Sequence, residues 1–340
     1  MSDNGRETIT EGEADRFRAF AEEINRYQEG FARSGDGQRR RNFHVKSHAG
    51  LSAQFRVVDD IPERAKHGVF AAPHTFQAWV RLSNGFSVGM PDWFPDLLGC
   101  SVKLRDVPGA SLLPGEDPAG VQDFLALNQP YLPADDARQL MIISTSSANV
   151  FTAPLKLIGG LGLAHGLRVM LWTLGWSARR LFLRSVATED FHGATPIAIG
   201  PHAAKFMWRS RQRRSAVRGT PGASWRNYLR DDLRARLAAG DLGWDFLAQF
   251  QVDPVKTPIE GAYGWKPADA PFVKLAELTI ARRDLGSAEA RRDERLVDGL
   301  SFNPWHAIAE HRPLGEIQRA RRVIYQGSAR YSGRDTGPAG

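Results

Sequence analysis

The sequence predicts an α+β fold, in which helices pack around an antiparallel β-barrel. Three features predict it: short alternating runs that suit strands, helical periodicity at both ends of the chain, and an almost uncharged segment between them. Several short strands separated by Gly, Pro and Asp turns are typical of a barrel or curled sheet. The predicted strands are residues 53–58, 75–82, 100–104, 123–127, 244–252 and 272–281.

Helical periodicity is clearest near the two ends. Residues 11–33 carry apolar side chains at spacings of three and four, which predicts an amphipathic helix. Residues 315–331 contain no proline and predict a helix that ends near Gly333. The basic stretch 204–238 is also interpreted as helical.

The segment 154–176 is rich in Gly, Leu and Trp and approaches the length of a membrane span. His165 and Arg168 lie in its middle, and four glycines weaken it as a single long helix. The sequence therefore favours a buried or interfacial pair of helices over a transmembrane helix. Contact with a lipid surface through 155–176 stays open.

No composition shift divides the chain, which has 340 residues, 42% of them hydrophobic and 24% charged. We expect an N-terminal helical arm at 1–35 and one domain at 36–334. Within that domain, 151–240 is interpreted as a helical insertion over the barrel. A disordered tail is expected at 335–340.

A single cysteine, Cys100, excludes an internal disulfide framework. The chain begins without a basic start and apolar run, so we expect a cytoplasmic protein and leave membrane association open. The net charge of +7 raises the question of nucleic acid binding. The arginine clusters at 39–41, 209–214 and 291–295 are scattered and lack any nucleic-acid-binding motif, so we expect no nucleic acid partner.

Near the end of the chain, Arg321 and Tyr325 lie four residues apart and share one helical face. A phenolate is a hard anion that suits ferric haem, and a cation one turn away favours ionisation of a tyrosine. Alone, the pair is weak evidence, because most such pairs are simply a half-buried tyrosine and an arginine on an exposed helix.

Near the start, Arg41 precedes His44 by three residues. Peroxide cleavage needs a group that takes a proton from one oxygen and delivers it to the other, and a neutral imidazole can do both. The chain has nine histidines, including the neighbouring His48, and chemistry alone does not choose among them.

Two further stretches carry polar residues beside predicted strands. Arg81 and Ser83 belong to WVRLSNG, and Asn128 ends QDFLALN. A serine can orient an imidazole, and an amide can donate a hydrogen bond to bound peroxide. Each residue could equally close a turn at a strand edge.

In order, the motifs R-x-x-H, V-R-x-S, P-D-x-x-G-x-x-x-K-L, D-F-x-x-x-N-x-P and R-x-x-x-Y resemble the catalase family. The resemblance covers roughly residues 40–130 and 244–330. It implies a catalase-like barrel with ferric haem between the barrel and the C-terminal helix. It points to a small catalase-related peroxidase without the helical C-terminal domain of larger catalases.

On the distal side of the haem, the resemblance implies that His44 is the acid/base. Asn128 is then the amide that helps to hold peroxide, and Ser83 hydrogen-bonds the histidine. On the other side, Tyr325 is the iron ligand and Arg321 stabilises its phenolate.

The resemblance assigns Arg41 and Arg81 to the haem propionates, but it fails just beyond Tyr325. Catalases usually carry D-T-x-R-x-R there, whereas this chain reads QGSARYSGR. Ser332 takes the place of the propionate-binding arginine, and Arg330 is the candidate substitute.

The resemblance implies haem-dependent breakdown of hydrogen peroxide or organic hydroperoxides, with an electron donor of unknown identity and self-association left open. One alternative is a fatty-acid hydroperoxide isomerase similar to allene oxide synthases. Those enzymes place a hydroxyl residue before the distal histidine, where this chain has Phe43. The other alternative is non-enzymatic haem binding.

Overall fold

The structure is a computed structural model that describes residues 7–34, 37, 39–87, 89–94, 96–113, 120–146, 151–180, 183, 185–213 and 224–334. The strands are β1 (Ser47–Val57), β2 (Thr75–Asn84), β3 (Leu98–Leu104), β4 (Gln122–Leu127), β5 (Phe191–His192), β6 (Ile197–Ile199), β7 (His202–Ser210), β8 (Leu242–Phe250) and β9 (Val273–Ile280). The helices are α1 (Glu13–Ser34), α2 (Ala137–Ser146), α3 (Ala153–Leu161), α4 (Leu163–Arg180), α5 (Tyr228–Ala239), α6 (Ala288–Gly299) and α7 (Glu316–Tyr331).

Among the described residues, eight strands close an antiparallel barrel, which confirms the predicted fold class. Their order is β5-β4-β3-β2-β1-β9-β8-β7, and the two-residue β5 closes the ring by pairing with both β4 and β7. In that closure His192 lies opposite Leu127, and Phe191 lies opposite Trp208. β6 pairs with β7 outside the ring.

The lumen of the barrel is packed with aromatic side chains. Phe55, Phe124, Trp208 and Phe246 are at most 1% exposed, and their ring centroids lie 4.9–6.2 Å apart. Alternate strand residues point inward, so the intervening residues face outward. Because the lumen is filled, a binding site has to lie on the outer face of the barrel.

Two groups of helices lie over that outer face, in addition to α5 and α6, which pack directly against β1. α1 packs along α7, where Phe17, Ala137 and Ala320 share an apolar cluster and Arg319 donates to Glu13 at 2.8 Å. α2, α3 and α4 form the second group, in which the backbones of α3 and α4 approach closely. A Cβ added at Gly166 would lie 3.0 Å from Ile158 Cα, so close helix packing requires that glycine.

The apolar segment thus forms a pair of helices, as the sequence predicts. In the described part of the chain, no helix combines the length and apolar character needed to cross a bilayer.

The predicted helix at 204–238 is wrong at its beginning, where the chain forms β7. Six consecutive residues of this strand are buried, so it lacks the polar alternation that marks a half-exposed strand. The segment 151–240 is therefore not wholly a helical insertion, because β5, β6 and β7 belong to the sheet. The tail predicted at 335–340 lies outside the described residues.

Candidate functional site

A cavity of about 780 Å³ lies between the outer face of the barrel and α7. Ser101 of β3 and Leu125 and Leu127 of β4 form its barrel wall, and side chains of α2 and α4 extend it away from the barrel. Among the predicted site residues, the cavity brings together Arg41, His44, Arg81, Arg321 and Tyr325. The other three, Ser83, Asn128 and Arg330, do not line it.

His44 lies just before β1 and adopts a left-handed backbone conformation with φ of 60°. A non-glycine residue in this region carries strain, which surrounding contacts must hold in place. Its backbone N–H donates to the Gly85 carbonyl at 3.0 Å. Its ring Nδ1 lies 3.1 Å from Ser83 Oγ, which leaves the other ring nitrogen for the cavity.

The motif PDLLG, which precedes β3, supports this arrangement. Asp96 Oδ2 accepts from the backbone N–H groups of Gly85 and Phe86, at 3.0 and 3.1 Å. The carbonyl of Gly85 in turn accepts from His44. Gly99 packs against the imidazole, since a Cβ there would lie 2.5 Å from His44 Cε1.

Sequence reasoning missed the positioning roles of Asp96 and Gly99, although both belong to the quoted motif. Asp96 lies just before a buried strand and Gly99 lies within it, which could have marked both residues in the sequence. Only the folded chain shows that they support His44.

The electrostatics of the cavity keep His44 neutral. Burial, and then the positive charge of Arg81, lower the pKa of His44 from its usual 6.5 to about 3. The charges of Arg41 and Arg321 act in the same direction, against a hydrogen bond with the Asn84 backbone. A neutral imidazole can accept a proton, which an imidazolium cannot.

Asn128 has partners other than a cavity ligand. Its Oδ1 accepts from the Leu98 backbone N–H at 2.8 Å, and its Nδ2 donates to Glu189 Oε2 at 3.2 Å. Asn42, two residues before His44, does line the cavity and is 4% exposed. Neither polar atom of its side chain has a hydrogen-bond partner among the described residues.

α7 also lines the cavity and carries Arg321 and Tyr325 on one face, as their spacing predicts. Arg321 Nη2 donates to Tyr325 Oη at 3.0 Å, and its Nη1 donates to Gln318 Oε1 at 3.2 Å. The phenol oxygen therefore has a guanidinium group within hydrogen-bonding distance.

One end of the cavity is an arginine cluster formed by Arg41, Arg81 and Arg334 around Asp298. Arg81 Nε pairs with the Asp298 carboxylate at 3.0 Å, while Arg41 and Arg334 donate to its backbone carbonyl at 2.8 and 3.0 Å. Burial lowers the pKa of Arg41 well below its usual range, and the charges of Arg81 and Arg334 lower it further. Three guanidinium groups thus lie around a single carboxylate, which pairs directly with Arg81 alone, so the arginine cluster suits an added anion.

A second cavity of about 480 Å³ lies on the other side of the arginine cluster. The basic residues that extend its lining beyond the arginine cluster are Arg39, Arg40, Lys46 and Arg226. The region thus presents strong positive charge to both cavities.

Arg334, rather than the predicted Arg330, belongs to the arginine cluster. Arg330 is exposed and lines neither cavity, whereas Arg334 lines both. α7 ends at Tyr331, and Gly333, with φ of 65°, turns the chain back. Arg334 Nη1 is buried without a hydrogen-bond partner among the described residues.

The volume of the cavity, its phenol and its arginine cluster are compatible with an anionic cofactor that takes a phenolate ligand, such as haem. Ser146 and Thr195 also line it with buried hydroxyl groups that lack a partner in the described part of the chain. Buried polar atoms are costly when unpaired, so these groups indicate a site that is completed by a ligand or water.

No protein-family model and no curated protein matches this sequence. Solved structures do match. A fungal catalase superposes with a TM-score of 0.66 at 13% identity, covering 86% of this chain and 59% of that one. A bacterial catalase gives 0.63 at 13%, covering 98% and 63%. Catalase A from Saccharomyces cerevisiae gives 0.64 at 13%, covering 98% and 66%.

The chain has the catalase-like fold. At this identity the likeness shows the fold alone, and the chain spans about three-fifths to two-thirds of the length of these catalases.

Proposed function

We propose that this chain binds ferric haem through Tyr325 and breaks down peroxides with His44 as the acid/base. One observation carries the proposal: a single cavity holds a neutral imidazole on one wall, an arginine-supported phenol on another, and an arginine cluster at its end. The catalase-like fold supports the same conclusion.

Five residues would hold the cofactor. Tyr325 would ligate the iron with its phenolate, stabilised by Arg321, and the arginine cluster of Arg41, Arg81 and Arg334 would pair with the two propionates. When bound, haem would supply a redox-active iron that gives electrons to the peroxide that is cleaved and regains them from a second peroxide or from an organic donor.

The chain's own contribution is proton transfer by His44. Its neutral ring accepts the proton of one peroxide oxygen and delivers it to the other as the O–O bond breaks, so that the second oxygen leaves as water from hydrogen peroxide or as the alcohol ROH from an organic hydroperoxide. Ser83 holds Nδ1, so the second nitrogen of His44 stays directed to the cavity. With hydrogen peroxide alone the balance is 2 H₂O₂ → 2 H₂O + O₂. With a phenolic donor it is ROOH + 2 ArOH → ROH + H₂O + 2 ArO•.

We assign the amide that holds peroxide to Asn42 rather than to Asn128. Asn42 lies on the cavity wall with its polar atoms unpartnered among the described residues, whereas the amide of Asn128 is bonded to Leu98 and Glu189. In this proposal Asn128 fixes the ends of β3 and β4 near the site.

The runner-up function is isomerisation of a fatty-acid hydroperoxide. The apolar walls that α2 and α4 give the cavity favour a long-chain substrate. Phe43 lies on the same wall as His44 and offers no hydroxyl to tether the imidazole, so we favour peroxide reduction.

Replacement of His44 by Ala tests the proposal. We expect peroxide turnover to fall by at least about 10² while haem stays bound, because the acid/base is lost and the iron ligand is not. His74→Ala, which changes an exposed histidine outside the cavity, is the control. Turnover in His44→Ala near that of the unmodified chain would contradict the role of His44.

A further inference from the structure

A continuous apolar stripe lies exposed on α4. Leu163, Leu167, Leu171 and Leu174 follow one another at spacings of four, four and three residues, so they share one helical face. They are 64%, 45%, 69% and 67% exposed. Leu155 of the neighbouring helix α3 is also exposed, at 76%, and we call these five leucines the leucine stripe. Exposed apolar surface of this extent indicates an interaction site.

The charged residues of α3 and α4 have one sign. From residue 137 to residue 188 the sequence contains no Asp or Glu. The basic residues in it are Arg138, Lys156, Arg168, Arg179, Arg180 and Arg184. Lys156 and Arg168 lie exposed on α3 and α4 themselves.

These charges favour a lipid surface over a second copy of the chain. Symmetric pairing through the leucine stripe would bring Lys156 and Arg168 of both copies together, with no acidic side chain on either helix to pair with them. A leaflet that contains anionic lipids offers both an apolar interior for the leucines and negative charge for the basic residues. Trp172 and Trp176 of α4 belong to the residue type that is enriched at such interfaces.

The leucine stripe is also continuous with the candidate site. Leu167, Leu171 and Leu174 line the same cavity as His44 and Tyr325, together with Trp172 and Trp176. An acyl chain that leaves the lipid surface along α4 would therefore enter the cavity from its apolar side.

We propose that α3 and α4 lay the leucine stripe onto an anionic lipid surface and admit acyl-chain hydroperoxides from that surface to the cavity. The substrate part of this inference rests on the proposed function. The reaction is ROOH + 2 ArOH → ROH + H₂O + 2 ArO•, with R an acyl chain and ArOH a phenol. The proposed binding to lipid depends only on the leucine stripe and on the basic residues of the same helices.

Vesicle flotation with the purified full chain tests docking. We expect binding to phosphatidylcholine vesicles that contain roughly one-third phosphatidylglycerol, and weaker binding to phosphatidylcholine alone. The double substitution Leu155→Gln and Leu163→Gln changes exposed residues that do not line the cavity. It should weaken binding at least about tenfold, because two leucines no longer enter the lipid.

The matched control is Val255→Gln. Val255 is 89% exposed, lies outside the helices and does not line the cavity, so the change should leave vesicle binding as it is. Absence of binding by the unmodified chain, or equal binding by the double variant, would overturn docking. So would a chain that is dimeric in solution, ignores vesicles and becomes monomeric on the double substitution.

A kinetic comparison separates this inference from the proposed function. With guaiacol as the phenol, the double variant should show a raised KM for a vesicle-embedded phospholipid hydroperoxide and an unchanged KM for hydrogen peroxide. Hydrogen peroxide turnover without vesicle binding would reject this inference alone. Vesicle binding by a chain that neither binds haem nor turns over peroxide would reject the proposed function and leave docking.

Discussion

His44 combines backbone strain with an unusual environment. Its left-handed conformation is held by the backbone bond to Gly85 and by the hydrogen bond with Ser83. Strained residues persist where the surrounding structure over-determines them, and such places are often functional. The same packing half-buries the residue, and burial is the main reason that its pKa is low.

The lowered pKa of His44 predicts the acid side of the pH profile. Because the pKa is about 3, the ring stays neutral, and able to accept a proton, as the pH falls through 6.5. We therefore expect kcat/KM for hydrogen peroxide to show no acid limb near pH 6.5, with loss only towards pH 3. Circular dichroism at each pH checks that the chain remains folded. An acid limb with its midpoint near 6.5 would contradict this account of His44.

Arg334 makes a prediction that separates it from Arg330. Arg334→Gln should weaken haem affinity by roughly tenfold or more, because a buried charge-assisted contact to a propionate is lost. Arg330→Gln, which changes an exposed arginine of α7, should leave affinity within about twofold, since its charge already lies in water. Titration with ferric haem, followed by its visible absorbance, measures both. Equal losses in the two variants would remove Arg334 from the site.

At the scale of single elements, the sequence predicted what local patterns encode. The spacing of Arg321 and Tyr325 placed them on one face of α7, and alternating runs gave most barrel strands. The prediction of β7 was wrong, because a strand that is buried on both faces has the same apolar composition as a buried helix. Arg334 was missed, because its position depends on where α7 ends and how Gly333 turns the chain.

The beginning of β3 makes a prediction of its own. Gly99→Ala should lower peroxide turnover by about 10², because the added Cβ would displace the ring of His44 and a misplacement of this size is costly. Haem binding should persist. Gly159→Ala is the control, since nothing lies within 4 Å of a Cβ at that position. Turnover of Gly99→Ala equal to that of the control would show that the strand does not position the imidazole.

At the scale of the whole molecule, the candidate site is an assembly of distant segments. The turn before β1 supplies His44, β2 supplies Arg81, and α7 supplies Tyr325. The order of the motifs resembles that of a known protein family, and this resemblance could predict that the three segments form one site. It could not predict that Asp298 lies among three arginines, or that α4 extends the cavity to an exposed surface, because both depend on tertiary packing.

The ligand role of Tyr325 is the central claim, and the visible spectrum of the full chain with ferric haem tests it most directly. We expect a high-spin ferric spectrum with phenolate character, which Tyr325→Phe abolishes and Tyr331→Phe keeps. Tyr331 lies on the same helix but does not line the cavity. A chain that takes up no haem, or a Tyr325→Phe spectrum identical to that of the unmodified chain, would contradict the account.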